Sequence, residues 1–236
     1  GAQDEVWLDA LKNGHDLHSI CAALVFGEKW DSAAEETCEF AASKQKCGCK
    51  EHKTLRTRTK AISFGLAYGA GPKSLAQTLE ISERDAEALV ELYFTTFPRI
   101  KGWLDNNARL AVSKRESRTF PAFNRRRKYT EGGEKTPLDF KQRMAIDRKG
   151  RNTVIQGTAA DMTKLAQVLL REELVQARDE ARLVAVIHDE LLVEVREDVA
   201  DKWAARVSDA MERAAKFVLK NDLCKATPEI GTHWAK

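Results

Sequence analysis

Apolar residues after Ser82 recur three and four positions apart, at Ala86, Leu89, Val90, Tyr93, Phe94 and Phe97. That spacing places side chains on one face of an α-helix. Ser82 and Asp85 stand ahead of the run as Ser-x-x-Asp, the pattern of a reciprocal N-terminal cap, and Pro98 marks the stop. The same period predicts a helix from about Asn152 to Ala177, with Ile155, Met162, Leu165, Ala166 and Leu169 facing inward. It predicts another from about Val199 to Val218, turned inward at Val199, Trp203, Val207, Ala210, Met211 and Ala214. These stripes build a core, and no function is needed to explain them. Between Ser113 and Arg151 periodicity fades into Arg, Lys, Gly and Pro, the composition of a loop.

One stretch breaks the helical pattern. VIHDELLVEV, Val186 to Val195, sets His188, Asp189 and Glu190 between runs of β-branched and aliphatic residues that begin at Leu183. The runs read as two antiparallel strands, and the lack of strict alternation predicts cover on both faces. A His-Asp-Glu tip replaces the Asn-Gly or Asp-Gly that a hairpin turn favours, so carboxylates stand at the end of a rigid support. An acidic surface turn would explain the same residues through side-chain hydrogen bonds to the backbone. The pattern as a whole is that of an α+β chain, mostly helical, with one strong strand pair.

Composition narrows the field. The chain has 236 residues, 43% hydrophobic and 32% charged, enough for one large domain or two small ones with a proper core. A net charge of +3 is only mildly basic, so an argument for nucleic acid rests on where Lys and Arg lie. No apolar run reaches the roughly 18 to 20 residues of a membrane span. No signal-peptide pattern opens the sequence, so a soluble, cytoplasmic protein without a membrane partner is expected. Gly1 fits removal of an initiator Met and a cut chain equally well. An odd number of cysteines without a secretory signal argues against a disulfide scaffold. Cys38, Cys47, Cys49 and His52 offer three thiolates and an imidazole within one short segment. They could close around zinc, although Cys-x-Cys is an unusual spacing for that ion; reduced thiols are the alternative.

Polar residues at helical spacing carry more information. In RTRTKAISFGLAY, residues Arg56, Lys60, Phe64 and Tyr68 recur every fourth position and form one stripe. Two cations followed by two aromatics match a nucleotide, with charge for phosphates and flat faces for sugar and base. A solvated basic helix end is the plainer reading. Arg148, Asn152 and Gln156 repeat the four-residue spacing and could read acceptors in a nucleic-acid minor groove. Ahead of them Arg125, Arg126, Arg127 and Lys128 add charge for phosphates, or a solvated run.

In order, these segments resemble the polymerase region of family A DNA polymerases, the class that includes bacterial DNA polymerase I and several phage replicases. GHDLHS resembles the family's Gly-x-Asp-x-His segment, RTRTKAISFGLAYG its motif B, and VIHDELLVEV its motif C. QGTAADM and the tail IGTHWAK complete the order. The Cys-rich insertion between Phe26 and Arg56 is longer than the bacterial link and looks phage-like. The resemblance implies helical fingers over residues 1–128 and the C-terminal part of a palm over 129–236, an incomplete right-hand polymerase fold whose β-hairpin carries motif C. By similarity, His18, Arg56 and Lys60 would bind the incoming dNTP, and Lys60 would protonate the leaving pyrophosphate. Phe64 would pack on the deoxyribose and Tyr68 beside the templating base. Arg148, Asn152, Gln156 and His188 would meet the primer-template DNA, Asp189 would bind Mg²⁺, and Glu190 would shape that site, which in the family holds two ions.

Two residues depart from the family's pattern: Ser63, where it usually has Asn, and, more mildly, Asn124, where it has Gly. Asn tolerates left-handed backbone angles better than other non-Gly residues. A third departure is serious, because the motif A segment, with the second metal-binding aspartate, is not among these residues. The expectation is an N-terminal polypeptide that supplies motif A and the thumb. The alternatives are a catalytically inactive fragment that binds primer-template or nucleotide, and a truncated piece of a single-chain polymerase.

Overall fold

The computed structural model describes residues 2–133 and 136–234. The chain folds as two compact units, residues 1–117 with 128–152, and residues 118–127 with 153–236.

The first unit opens with α1 (Glu5–Lys12), α2 (Leu17–Phe26), α3 (Glu28–Ser32) and α4 (Phe40–Ser43). Asp4 and Asp16 cap α1 and α2 by accepting from the backbone N–H of Trp7 and Ser19. There follow α5 (Lys50–Ala67), α6 (Pro72–Leu79), α7 (Glu83–Thr96) and α8 (Pro98–Lys114). The cap at Ser82 forms as its sequence predicts, with the hydroxyl accepting from the Asp85 N–H at 3.1 Å. Pro98 ends α7 and also begins α8, since a first-turn proline loses no helical hydrogen bond. Ala86, Tyr93 and Phe97 of α7 join Cys21, Val25, Ile62, Leu66, Leu75 and Ala76 in one buried cluster, with Leu89, Val90 and Phe94 packed against it. A smaller cluster of Ala22, Trp30, Phe40 and Leu55 lies under the Cys-rich insertion.

The stretch expected as loop holds more structure than its composition signals. Short strands β1 (Glu116–Arg118) and β2 (Arg126–Lys128) pair, and helix α9 (Phe140–Gln176) begins twelve residues before Asn152. Asp139 and Gln142 cap it reciprocally, each side chain accepting from the other's N–H at 2.8 and 3.0 Å. This Asp-x-x-Gln signal was legible in the sequence, but the Arg and Lys around it hide the start. Further along the helix Arg151 pairs with Asp147 one turn back and with Asp105 of α8.

The second unit contains α9 from residue 153 onward, the hairpin β3 (Ala181–Ile187) and β4 (Glu190–Val195), and α10 (Ala200–Leu219). Trp203, Ala210, Ala214 and Val218 of α10 are buried, close to the expected stripe. The antiparallel pairing runs from Ala181 opposite Val195 to Ile187 opposite Glu190, with a bulge between Leu183 and Ala185. Cover on both faces is not found among the described residues. Arg182, Val184 and Val186 are all exposed, Val184 at 64%, so one face of β3 stands open.

Candidate active site

Helix α5 has two unlike faces. Leu55, Thr59, Ile62 and Leu66 are buried, and Thr59 and Ser63 satisfy their hydroxyls on the carbonyls one turn back. Ser63, where the family usually has Asn, therefore serves as a satisfied core residue. The other face carries the predicted stripe. Phe64 and Tyr68 are 45% and 41% exposed, their rings stacked 6.2 Å apart. The Lys60 ammonium lies 5.8 Å from the Phe64 ring, and His18 of α2 meets the same ring at 5.8 Å.

Sequence reasoning singled out Arg56 but missed what holds it. Asp16 accepts from Arg56 Nε at 2.7 Å and Nη2 at 2.8 Å while also capping α2. The signal was present in GHDLHS, as an acid two residues before His18. Burial alone would raise the Asp16 carboxyl; the hydrogen bonds from Arg56 and Ser19 outweigh it and hold the group well below the usual carboxylate range. The same pair raises the Arg56 guanidinium, fixing it as a cation. His18 goes the other way: burial pushes its pKa down, and the nearby Arg56 adds to the effect. Its imidazole is neutral at pH 7, and its buried Nδ1 has no hydrogen-bond partner among the described residues.

At the end of α5 the chain turns through Gly69, φ +77°. A side chain there would meet the Arg148 Cα at 2.9 Å, so glycine serves both the angle and the approach of α9. Arg148, Gly69 and Tyr68 line a cavity of about 540 Å³ with Ala61, Gly65 and Ser74. On α9, Arg148 and Gln156 are exposed, while Asn152 is half-buried with its Oδ1 unpartnered among the described residues.

In the second unit, His188 and Asp189 form the two-residue tip between paired Ile187 and Glu190. Glu190 is the first residue of β4 rather than part of the tip, which corrects the three-residue tip expected. His188 sits at φ +55°, a position that glycine usually fills in such turns. His188, Asp189 and Glu190 are exposed, and none has a side-chain hydrogen bond or ion pair with a described residue. The two carboxylates are hard oxygen donors of the kind Mg²⁺ takes.

The QGTAADM segment does structural work that was not foreseen. Gly157 lets Thr119 approach, Thr158 accepts from the Phe120 N–H at 3.1 Å, and buried Asp161 takes Arg125 Nε at 2.6 Å. Arg125 is thus tied to α9, while Arg126 lies exposed in β2. Asn124 sits at φ +48°, the left-handed angle its replacement of Gly implied. In the insertion, the donor atoms of Cys38, Cys47, Cys49 and His52 lie within 4.8 Å of one another.

Against known proteins, the sequence profile of DNA polymerase family A matches residues 1–236. The chain belongs to this family. DNA polymerase I of Geobacillus stearothermophilus is 32% identical over 213 residues, which cover 90% of this chain and 22% of that protein. DNA polymerase I of Aquifex aeolicus is 30% identical over 240 residues, covering 99% of this chain and 36% of its own. A solved neighbour is the POL domain of Pol1 from M. smegmatis in complex with DNA primer-template and dNTP. It has a TM-score of 0.72 at 30% identity, over 90% of this chain and 34% of that one. The chain therefore spans between a fifth and about a third of these family A relatives. None of its described helices is long and apolar enough to cross a membrane.

Proposed function

We propose that these residues form the fingers and part of the palm of a template-directed DNA polymerase. The reading rests on one observation above the rest: His18, Arg56, Lys60, Phe64 and Tyr68 converge on one exposed face. Arg56, braced by Asp16, and Lys60 meet the phosphates of a dNTP. The half-buried His18 imidazole meets a phosphate oxygen, whose charge favours the protonated ring. Phe64 packs on the sugar and Tyr68 on the base pair, and Lys60 protonates the departing pyrophosphate. Arg148, Asn152, Gln156, His188 and exposed Arg126 contact primer-template DNA, with Arg125 contributing through the guanidinium nitrogens that Asp161 leaves open.

Asp189, supported by Glu190, would hold Mg²⁺ at the hairpin tip. Two such ions, when bound, would activate the primer hydroxyl and stabilise the leaving oxygen. One hairpin tip supplies only part of a two-ion ligand set, so polypeptide beyond these 236 residues contributes the motif A carboxylate and thumb. The open face of β3, with Val184 and Val186, and exposed Val168 and Val175 on α9, favour such cover. The reaction belongs in the cytoplasm, a bacterial host's if the chain is phage-encoded; the length of the insertion is what supports a phage-type member.

Primer extension with Mg²⁺ and dNTPs, with and without the polypeptide encoded directly upstream, tests the reading. Extension is expected only when motif A is present, in cis or in trans. Template binding without extension under both conditions would favour an inert binding module instead.

A further inference from the structure

We propose that Cys38, Cys47, Cys49 and His52 hold a structural Zn²⁺ that ties the first turn of α5 to the loop carrying Asp16. The His52 Nε2 hydrogen bonds to the Trp30 carbonyl at 2.7 Å, and the ring stacks on the Trp30 indole at 3.9 Å. A proton held at Nε2 leaves Nδ1 as a bare lone pair, and that nitrogen faces Cys47 Sγ at 3.0 Å and Cys38 Sγ at 3.6 Å. A carbonyl behind a ligating imidazole is the support that orients metal-bound histidines. Cys49 and His52 are buried at 1% and 2% exposure, so the group is closed to solvent on that side. A tetrahedral zinc site with Zn–S near 2.3 Å spaces its sulfurs about 3.8 Å apart, so closure needs shifts of about 1 Å. Three thiolates and one imidazole, with no open position, are a structural zinc set rather than a catalytic one.

The location gives the ion its consequence. Cys49 immediately precedes α5 and His52 lies in its first turn, one turn before Arg56. The same insertion reaches the other partner, since the Lys44 carbonyl accepts from the Asp16 N–H at 2.9 Å and Gln45 Nε2 donates to the Gly14 carbonyl at 2.8 Å. Ligands on both sides of Lys44 and Gln45 therefore fix the segment that presents Asp16 to Arg56.

The test reads metal and thiols, so it is independent of polymerase activity. The chain purified without chelator should carry about one zinc, and its Co²⁺ form should show the absorption of a tetrahedral thiolate site. Cys47→Ser should lose both signals and Cys224→Ser should keep them. Where Cys47→Ser fails to fold, wild-type protein decides: Cys38 and Cys47 should alkylate at least about tenfold more slowly than half-buried Cys224 until a chelator is added. Amide exchange over residues 50–56 and at Asp16 should then accelerate while α7 is unchanged. Folded protein with negligible zinc, equal alkylation rates with and without chelator, or exchange indifferent to zinc would overturn the proposal.

Discussion

Helix α5 and the hairpin tip both present polar side chains from rigid elements, yet they hold them by opposite means. Along α5 each group has a neighbour: Arg56 is gripped by Asp16, Lys60 lies over Phe64, and His18 meets the same ring. At the tip, His188 and Asp189 are placed by backbone alone, with a strained angle at His188 and no side-chain partner among the described residues. The contrast fits what each would bind under the proposed function. A triphosphate is large and flexible, so its cations gain from being preorganised. A metal ion organises its own ligands, and a carboxylate already tied to a cation would bind it less well.

Removing the tip's carboxylate should separate the two regions most sharply. In a polymerase that includes motif A, Asp189→Ala should lower single-turnover primer extension by about 10³-fold or more. Unfolding free energy should move by less than about 0.5 kcal/mol, as expected for an exposed side chain without partners. Extension within about tenfold of wild type would remove Asp189 from the reaction.

On the α5 side the cost should fall on stability. Asp16→Ala deletes a cap and one half of a partly buried ion pair, and should cost about 2 to 3 kcal/mol in denaturant titrations at neutral pH. The wild-type contribution is fully present above the ordinary aspartate value of about 3.9. It is lost as the pH falls below that value toward the lowered pKa of the folded carboxyl. Asp16→Asn should flatten that acid limb in melts between roughly pH 4 and 2; an unchanged limb would mean the pair does not form in solution.

Phe64→Tyr tests the ring against the sugar. A phenol can replace a missing 3′-hydroxyl, so discrimination against dideoxynucleotides should fall about tenfold, the scale of one hydrogen bond. Unchanged discrimination would detach Phe64 from the sugar. The smallest effect is expected at the strained tip: His188→Gly should stabilise the second unit by about 1 kcal/mol while weakening primer engagement. Calorimetry showing no gain would mean the turn is not strained.

Periodic helices were legible in the sequence, as α7 with its Ser82 cap and α10 with its apolar stripe show, because local geometry dictates them. Helix α9 was half-read: its apolar stripe marked residues from 152 onward, whereas its start depended on a cap hidden among charges that pair only in the folded unit. The stripe Arg56, Lys60, Phe64 and Tyr68 was visible for the same reason as α7, since spacing along one helix is a local property. The role of Asp16 escaped notice because its partner lies forty residues away, and that of QGTAADM because Arg125 and Thr119 come from another segment.

The sequence by itself determined the family, the stripe of Arg56, Lys60, Phe64 and Tyr68 on one helix face and the carboxylate at the hairpin tip, since motif order and helical spacing survive without coordinates. Only the tertiary structure decided that Asp16 braces Arg56, that Asp161 takes Arg125, and that one face of β3 is open among the described residues. Those outcomes depend on which distant segments share a neighbourhood, and the energy of burying or pairing a group exists only once the chain has brought them together.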